Sequence, residues 1–468
     1  MINLKEIKHV HCIGIGGIGL SAIADILLAR KYTVTGSDMN KSDVTTRLES
    51  DGAKIFYGHD AANVNDSDLV VYSAAISREN PELMRAKENG IPCVSRAEIL
   101  GKLMENHELS IAVSGTHGKT TTTSMVSLIL DTAGKDPTIL VGGNLKEIGG
   151  NVKVGESQYF ITEACEYVDS FLDLLPKVEI ILNIDSDHLD YFKDIDHIVR
   201  SFEKFADLLP NDGMLFAYSA NPFVKKVIEG RNNVITFSLD ENSDYYAKNI
   251  EFDESGRPGF VVVHAGNEIC KLSLSVPGEH NVINALAAVA CCHTLGVDSD
   301  IISSTLNEFS GTQRRFDIMG VMNDDITVID DYAHHPTEIR ATLSAAKNMK
   351  FNRMWCIFQP HTYTRTMALF DEFGKAFKDA DVVIMAEIYA AREKNIHKIS
   401  SEKLVGEIKK NYPEKEVLFF DNFADIEDYV YKNAEPKDLI LTVGAGDVYK
   451  IGEELLKMDS KREDALDG

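Results

Sequence analysis

One stretch constrains the fold before any other: Gly115-Thr116-His117-Gly118-Lys119-Thr120, followed by Thr121, Thr122 and Thr123. Ahead of it, the apolar run Ile111-Ala112-Val113 reads as a buried strand. Behind it, Ser124 to Leu130 spaces its apolar residues as an amphipathic helix would, stopping at Gly134. A strand, a glycine turn and a helix opening on Lys-Thr make a phosphate cradle. Backbone N–H groups at the helix start face the anion, Lys119 supplies positive charge and the Thr120 hydroxyl can hold Mg2+. The turn is short: only Thr116 and His117 separate its glycines, where the common phosphate loop has four residues. The alternative is a plain helix N-terminus with an exposed lysine, and the strand–turn–helix context favours nucleotide binding.

At 468 residues the chain is too long for one core, and roughly 150 residues per domain predicts about three domains. Its 73 acidic against 48 basic residues give a net charge of −25. Such a surface repels nucleic acid and anionic membranes, so an anionic substrate must meet locally basic sites. The seven cysteines are scattered with no Cys-x-x-Cys pair, which argues against disulfides or a zinc site and for a reducing cytoplasm. No apolar run is long enough to span a bilayer, and the first residues carry no signal-peptide core. The reading is a cytoplasmic small-molecule protein of undetermined oligomeric state.

Residues 8 to 38 read as a βαβ unit. Strand Val10–Ile13 runs into Gly14-Ile15-Gly16-Gly17-Ile18-Gly19, a G-x-G-x-x-G turn, then a helix to Ala29 and a strand ending near Asp38. Asp38 lies where a dinucleotide fold places its ribose-binding carboxylate, so read mechanically this is an NAD site. The turn itself requires less: a diphosphate approaching a helix N-terminus, which NAD and UDP both satisfy. The glycines could also serve helix–strand packing alone. Ser73 follows the strand Leu69–Tyr72, at the end where ligands of open α/β sheets collect. Pro81 opens a helix, another runs from Arg96 to Glu105, and the polar hinge at Asn106-His107-Glu108 closes a first domain, residues 1–107.

The second domain, 108–313, continues with a strand ending at Glu163, with Glu166 three further on, and another ending at Asn183, before Asp185-Ser186-Asp187-His188. Acids and a histidine at strand ends beside a phosphate loop are what a Mg2+–ATP site requires. Residues 230 to 275 read as an antiparallel excursion. In the helix after Pro277-Gly278, Asn281 and Asn284 share a face, suited either to adenine or to helix capping. The third domain, 314–468, follows Arg314-Arg315-Phe316 and alternates strands with helices. Its strands end at Asp331, at Gln359 to Arg365, at Glu387 and at Gly444 to Asp447, a ligand face on a parallel sheet. The charged tail from Lys457 reads as frayed.

This series resembles the Mur ligases of peptidoglycan synthesis over essentially the full length. The motifs that carry the resemblance are Gly14–Gly19, Gly115–Thr120, Glu163-Ala164-Cys165-Glu166, Asp187-His188-Leu189-Asp190, Glu279–Asn284, Arg314–Phe316, Asp331–Glu338 and Gln359–Arg365. The resemblance implies three α/β domains: a Rossmann-like N-terminal one for a UDP-substrate, a central P-loop-type ATPase domain with a mostly parallel sheet, and a Rossmann-like C-terminal one for an amino acid. It implies that the carboxylate of UDP-N-acetylmuramate takes the γ-phosphoryl group of ATP, and that the amine of L-alanine attacks the resulting acyl phosphate. It further implies ATP contacts at Gly115, Thr116, His117, Gly118, Lys119, Thr120 and Thr121, with Asn281 and Asn284 at the adenine. Thr120 and Glu163 would hold Mg2+, with His188 near a second metal or the substrate carboxylate, while Arg315 and Asp331 would complete the ATP site on domain closure. The UDP-substrate would meet Gly14, Gly16, Gly17, Ile18, Gly19, Asp38, Ser73 and Glu166.

The amino-acid pocket departs from the family pattern. Thr362 stands where many relatives carry an arginine, which leaves Arg365 as the expected carboxylate anchor with His335 nearby. Ala333 likewise replaces a common glycine. Three other readings compete. A ligase returning recycled tripeptide to UDP-N-acetylmuramate would share the ATP machinery and differ in the third-domain pocket. An NAD-dependent oxidoreductase leaves the phosphate loop and the Arg315–Asp331 pair unexplained. A UDP-sugar sensor has no use for Lys119, Glu163 and His188 together.

Overall fold

The computed structural model describes residues 3–467 apart from Ala74, Asp324, Arg392 and His397, with backbone alone over 461–467. Three sheets follow one another along the chain. The first is all parallel: β1 (His9–Ile13), β2 (Thr33–Asp38), β3 (Lys54–Tyr57), β4 (Leu69–Tyr72) and β5 (Cys93–Ser95), in spatial order 3-2-1-4-5. Strand order reverses between β1 and β4, which opens a crevice above their carboxyl ends. As the sequence predicts, Pro81 starts a helix, Pro81–Glu88, capped by the Asn80 side chain. The helix Arg96–Met104 begins on a Ser95–Glu98 capping box.

The second sheet has ten strands. Its core is β6 (Leu109–Ser114), β7 (Thr138–Leu145), β8 (Gly150–Lys153), β9 (Tyr159–Glu163), β10 (Val178–Ile181), β11 (Met214–Tyr218) and β12 (Val234–Ser238). Only β8 runs antiparallel among these. The excursion predicted for 230 to 275 is present as β13 (Tyr245–Phe252), β14 (Pro258–His264) and β15 (Asn267–Ser273), whose mutual pairings are antiparallel. The third sheet orders β16 (Asp317–Met322), β17 (Ile326–Asp331), β18 (Met354–Phe358), β19 (Val382–Met385), β20 (Glu416–Phe419) and β21 (Leu439–Val443) as 16-17-21-18-19-20. It is parallel except where β16 pairs β17.

The tail corrects the sequence reading: the final helix runs Tyr449–Asp467, so the charged residues after Lys457 continue it. Among the described residues, no helix is long and apolar enough to cross a membrane.

Two joints connect the three sheets, and they differ in kind. Leu100, Leu103 and Met104 share one continuous apolar cluster with Phe160, Phe171 and Leu174 of the second sheet's layer. Contact there is so close that a Cβ on Gly101 would lie 2.0 Å from the Asp173 carbonyl oxygen, leaving room for glycine alone. The third sheet keeps its own apolar clusters on its two faces, reached from the second sheet's side by half-buried Leu189, and meets the second sheet mainly through polar side chains.

Candidate active site

The phosphate loop leaves β6 with Gly115 at φ +136° and Gly118 at φ +83°, values that L side chains adopt only with strain. A Cβ on Gly118 would also sit 2.4 Å from Asn284 Oδ1. The helix Lys119–Thr132 starts immediately after. Asn183, at the end of β10, holds the loop: its side-chain oxygen accepts from His117 N (2.8 Å), its amide donates to His117 O (3.0 Å), and its carbonyl accepts from Thr116 N. The Lys119 ammonium donates to the carbonyls of Gly115 and Thr116 and pairs with Glu166 at 3.0 Å. Burial opposes its charge, but Glu166 with Cys165 and Glu163 together raise the lysine pKa.

Glu163 ends β9 and accepts from Gly142 N. A Cβ on Gly142 would meet the Glu163 carboxylate at 2.7 Å, and one on Gly143 would come within 3.2 Å of the Thr120 methyl. The glycine pair of β7 thus lets Thr120 and Glu163 approach one strand together, a signal the sequence carries at Gly142-Gly143. His188, at φ +53°, lies 4.0 Å from Glu166 and packs its ring, tilted by 34°, against Tyr167 with centroids 4.6 Å apart.

Among the described residues, one triple of carboxylate and histidine groups is tight enough for a metal: His117, Asp185 and His335, within 4.8 Å. Hydrogen bonds already occupy its nitrogens. His335 Nε2 donates to Ser186 O (2.9 Å) and Nδ1 accepts from Thr337 N, while His117 lies between Asp185 (3.4 Å) and Glu338 (3.1 Å). Burial opposes protonation of His117, yet the two carboxylates push its pKa up to about 9, so it stands as an imidazolium. The triple is therefore a hydrogen-bonded latch between the second and third sheets.

A cavity of about 450 Å³ opens beside the loop, lined by Gly118, Thr121, Asn281, Asn284, Arg315 and Asp331 among others. The two asparagines form a chain: Asn281 donates to Pro277 O, Asn284 donates to Asn281 Oδ1, and Thr122 donates to Asn284 Oδ1. Gly278 holds the cap position of their helix, Glu279–Thr294, so neither asparagine is its N-cap. The neighbouring arginines divide their work. Arg314 is tied to Asp330 and to the carbonyls of Gly444 and Gly446, while Arg315 reaches the cavity over the Tyr332 ring. Asp331 accepts from Phe316 N and Ala333 N at 2.8 Å each; burial lifts its pKa to about 6 against the pull of Arg315.

A second cavity of about 190 Å³ lies between Asp187, His188 and Asp190 on one side and His361, Thr362 and Arg365 on the other. Thr362 caps the helix Tyr363–Ala368, its hydroxyl accepting from Arg365 N. His335, expected near Arg365, is not among the residues lining this cavity; it caps the helix Pro336–Ala346 on the phosphate-loop side. His361 takes the place beside Arg365, its Nδ1 accepting from the guanidinium at 3.3 Å.

The third crevice, about 470 Å³, stands at the switch point of the first sheet, lined by Gly14, Gly17, Asp38, His59, Ser73 and others. Gly16 presses on the Asp38 carboxylate, Gly19 on Arg96, and Ile18 is exposed. Asp38 accepts from Gly16 N at 2.9 Å and so closes the glycine turn. Glu166, expected to meet the UDP-substrate, does not line this crevice and pairs with Lys119. The sequence reading passed over His59, whose Nδ1 faces the fully buried Glu82 at 2.8 Å.

A phosphate loop on one parallel sheet, a glycine crevice on another and an arginine joint to a third define a nucleotide-using, multi-sheet α/β enzyme. The chain belongs to the Mur ligase family: residues 9–108 match its catalytic domain, 113–292 its middle domain and 314–446 its glutamate ligase domain. It is 50% identical over 461 residues to the UDP-N-acetylmuramate–L-alanine ligase of Caldanaerobacter subterraneus, covering 98% of this chain and 100% of that one. Its fold resembles that of the Thermotoga maritima UDP-N-acetylmuramate–alanine ligase, with TM-score 0.81 and 30% identity over 97% and 99% of the two chains. The murein peptide ligase of Psychrobacter arcticus is also similar, at TM-score 0.71 and 28% identity over 96% and 98%.

Proposed function

We propose that this chain is a cytoplasmic, ATP-dependent ligase that joins L-alanine to the carboxylate of UDP-N-acetylmuramate, releasing ADP and phosphate, in peptidoglycan precursor synthesis. One observation carries the reading: Asp185 lines the nucleotide cavity while Asp187 and His188, two and three residues on, line the Arg365 cavity. One short segment therefore borders both the place where a carboxylate is phosphorylated and the place where an amine waits. A carboxylate is a poor acyl donor because its leaving group is poor, and phosphorylation supplies a good one. Lys119, the loop N–H groups and Arg315 would neutralise the charge that moves between phosphate and carboxylate. Thr120 and Glu163, which approach the same glycine strand, would hold Mg2+ with His188 nearby, and the ion would supply positive charge to the phosphates. The glycine crevice at Gly14 would take the UDP diphosphate. The domains in this reading are 1–107, 108–313 and 314–468.

The small Arg365 cavity suits one amino acid better than a tripeptide. ADP release with ATP, Mg2+ and UDP-N-acetylmuramate, measured for L-alanine, glycine, L-serine and the stem tripeptide, tests this. L-Alanine should give the highest kcat/KM. Preference for the tripeptide, or ADP release indifferent to the amino acid, would overturn it.

A further inference from the structure

Arg365 and Asp187 are 178 residues apart in sequence and face each other across the joint between the second and third sheets. Their contact is a fork: Nε donates to Asp187 Oδ1 at 3.1 Å and a terminal nitrogen donates to Oδ2 at 3.4 Å. The second terminal nitrogen donates to His361 Nδ1. That bond fixes the imidazole as acceptor, since a guanidinium can only donate. Both members of the ion pair are largely buried, with side-chain exposures of 12% and 9%.

A guanidinium has five N–H groups. Asp187 takes two and His361 one, which leaves one N–H on each terminal nitrogen, and Arg365 lines the cavity. Two such groups side by side are what a carboxylate accepts in a bidentate pair. Where a second arginine would share the task, this chain has Thr362, whose hydroxyl is engaged at the helix cap. A single long side chain must then be held in place by something else.

We infer that Asp187 is the positioning residue of the amino-acid clamp: it grips one edge of the Arg365 fork from the opposite sheet, so that the other edge faces the incoming carboxylate. The inference rests on the amino-acid reading of this cavity. It makes the clamp a property of the docked third sheet, because undocking takes Arg365 away from the carboxylate that orients it. Asp187 itself touches no reacting atom.

Steady-state kinetics of Asp187→Asn test this. The KM for L-alanine should rise about tenfold or more, in line with loss of a charge-assisted fork, while those for ATP and UDP-N-acetylmuramate stay within about twofold and kcat recovers at saturating L-alanine. Asp187→Glu, which keeps the charge one methylene further out, should show a smaller rise and serves if the asparagine variant folds poorly. In a double-mutant cycle, Arg365→Lys should raise the same KM, and Asp187→Asn added to it should raise it little more. An unchanged or lower KM for L-alanine in Asp187→Asn, a fall in kcat alone, or additive effects in the cycle would overturn the inference while leaving the ligase reading intact. Wild-type turnover that ignores L-alanine would overturn both.

Discussion

The first and third sheets are both parallel α/β layers attached to the same central one, yet the attachments are built from opposite materials. At the first joint, Leu100, Leu103, Met104, Phe160, Phe171 and Leu174 are all buried in one cluster, with Phe171 stacked on Phe205 at 4.5 Å. At the other, Thr337 donates to Asp185, His335 donates to Ser186 O, His117 faces Glu338 and Arg365 grips Asp187. Apolar burial is non-directional and lost only by exposing area to water. Buried ion pairs recover in attraction roughly what desolvation costs, so parting them is nearly balanced. The first joint is accordingly a fixed seam and the second a latch, and the cavity beside the phosphate loop and the Arg365 cavity both lie at the latch.

Breaking the seam should have the largest effect. Phe171→Ala should cost about 3–5 kcal/mol of stability, read as a fall in Tm for the first two sheets, whereas Glu338→Gln should change Tm far less. Comparable losses would erase the distinction. Next, Lys119→Ala should lower the ADP-forming rate on the order of 100-fold while UDP-N-acetylmuramate still raises Tm, because the glycine crevice belongs to the sheet behind the seam. Loss of that thermal shift would show the two crevices are not independent.

These contrasts mark what a sequence yields and what it withholds. The glycine loops were legible because Gly14, Gly115 and Gly118 need positive φ, and the elements because apolar spacing and caps such as Asn80-Pro81 are local. Side-chain partners set by tertiary approach were not. Nothing local distinguishes Arg314, tied to Asp330, from Arg315, or tells that His361 and not His335 stands beside Arg365. Glu166 on Lys119 and Asp187 on Arg365 join stretches that only the fold brings together. Gly142-Gly143 was readable in principle, as paired glycines in a strand often mark close backbone approach.

The seam layer also contains a flaw. Glu179 on β10 is fully buried, pairs in register with Ala112 and Leu215 of the same apolar cluster, and neither carboxyl oxygen has a hydrogen-bond partner. Burial raises its pKa well above the ordinary value, so the folded state keeps the proton that the unfolded state releases above about pH 4.5. Its cost therefore grows as pH rises from there toward the folded pKa. Glu179→Leu should gain about 1–3 kcal/mol near pH 7 and less near pH 4.5, measured as Tm across that range. A loss at both would mean the carboxyl has a partner.

The latch should show a dependence of the same sign in its own, higher pH window. His117 carries a pKa raised from 6.5 to about 9, so its contribution is complete below pH 6.5 and fades as pH climbs through 9. Limited proteolysis between the second and third sheets should quicken over that interval, and His117→Gln should remove the step. A pH-independent cleavage rate in the wild type would take His117 out of the latch.

Hydrogen exchange read by mass spectrometry compares the two joints in one experiment, at low and at high salt, where charge-based docking is screened and apolar docking is not. Peptides spanning Asp185–His188 and His334–Glu338 should lose protection at high salt and regain it with ATP, Mg2+ and UDP-N-acetylmuramate, while Leu100–Met104 and Phe171–Leu174 stay protected throughout. Equal protection of both joints at high salt, or loss at the apolar one first, would contradict a seam and a latch.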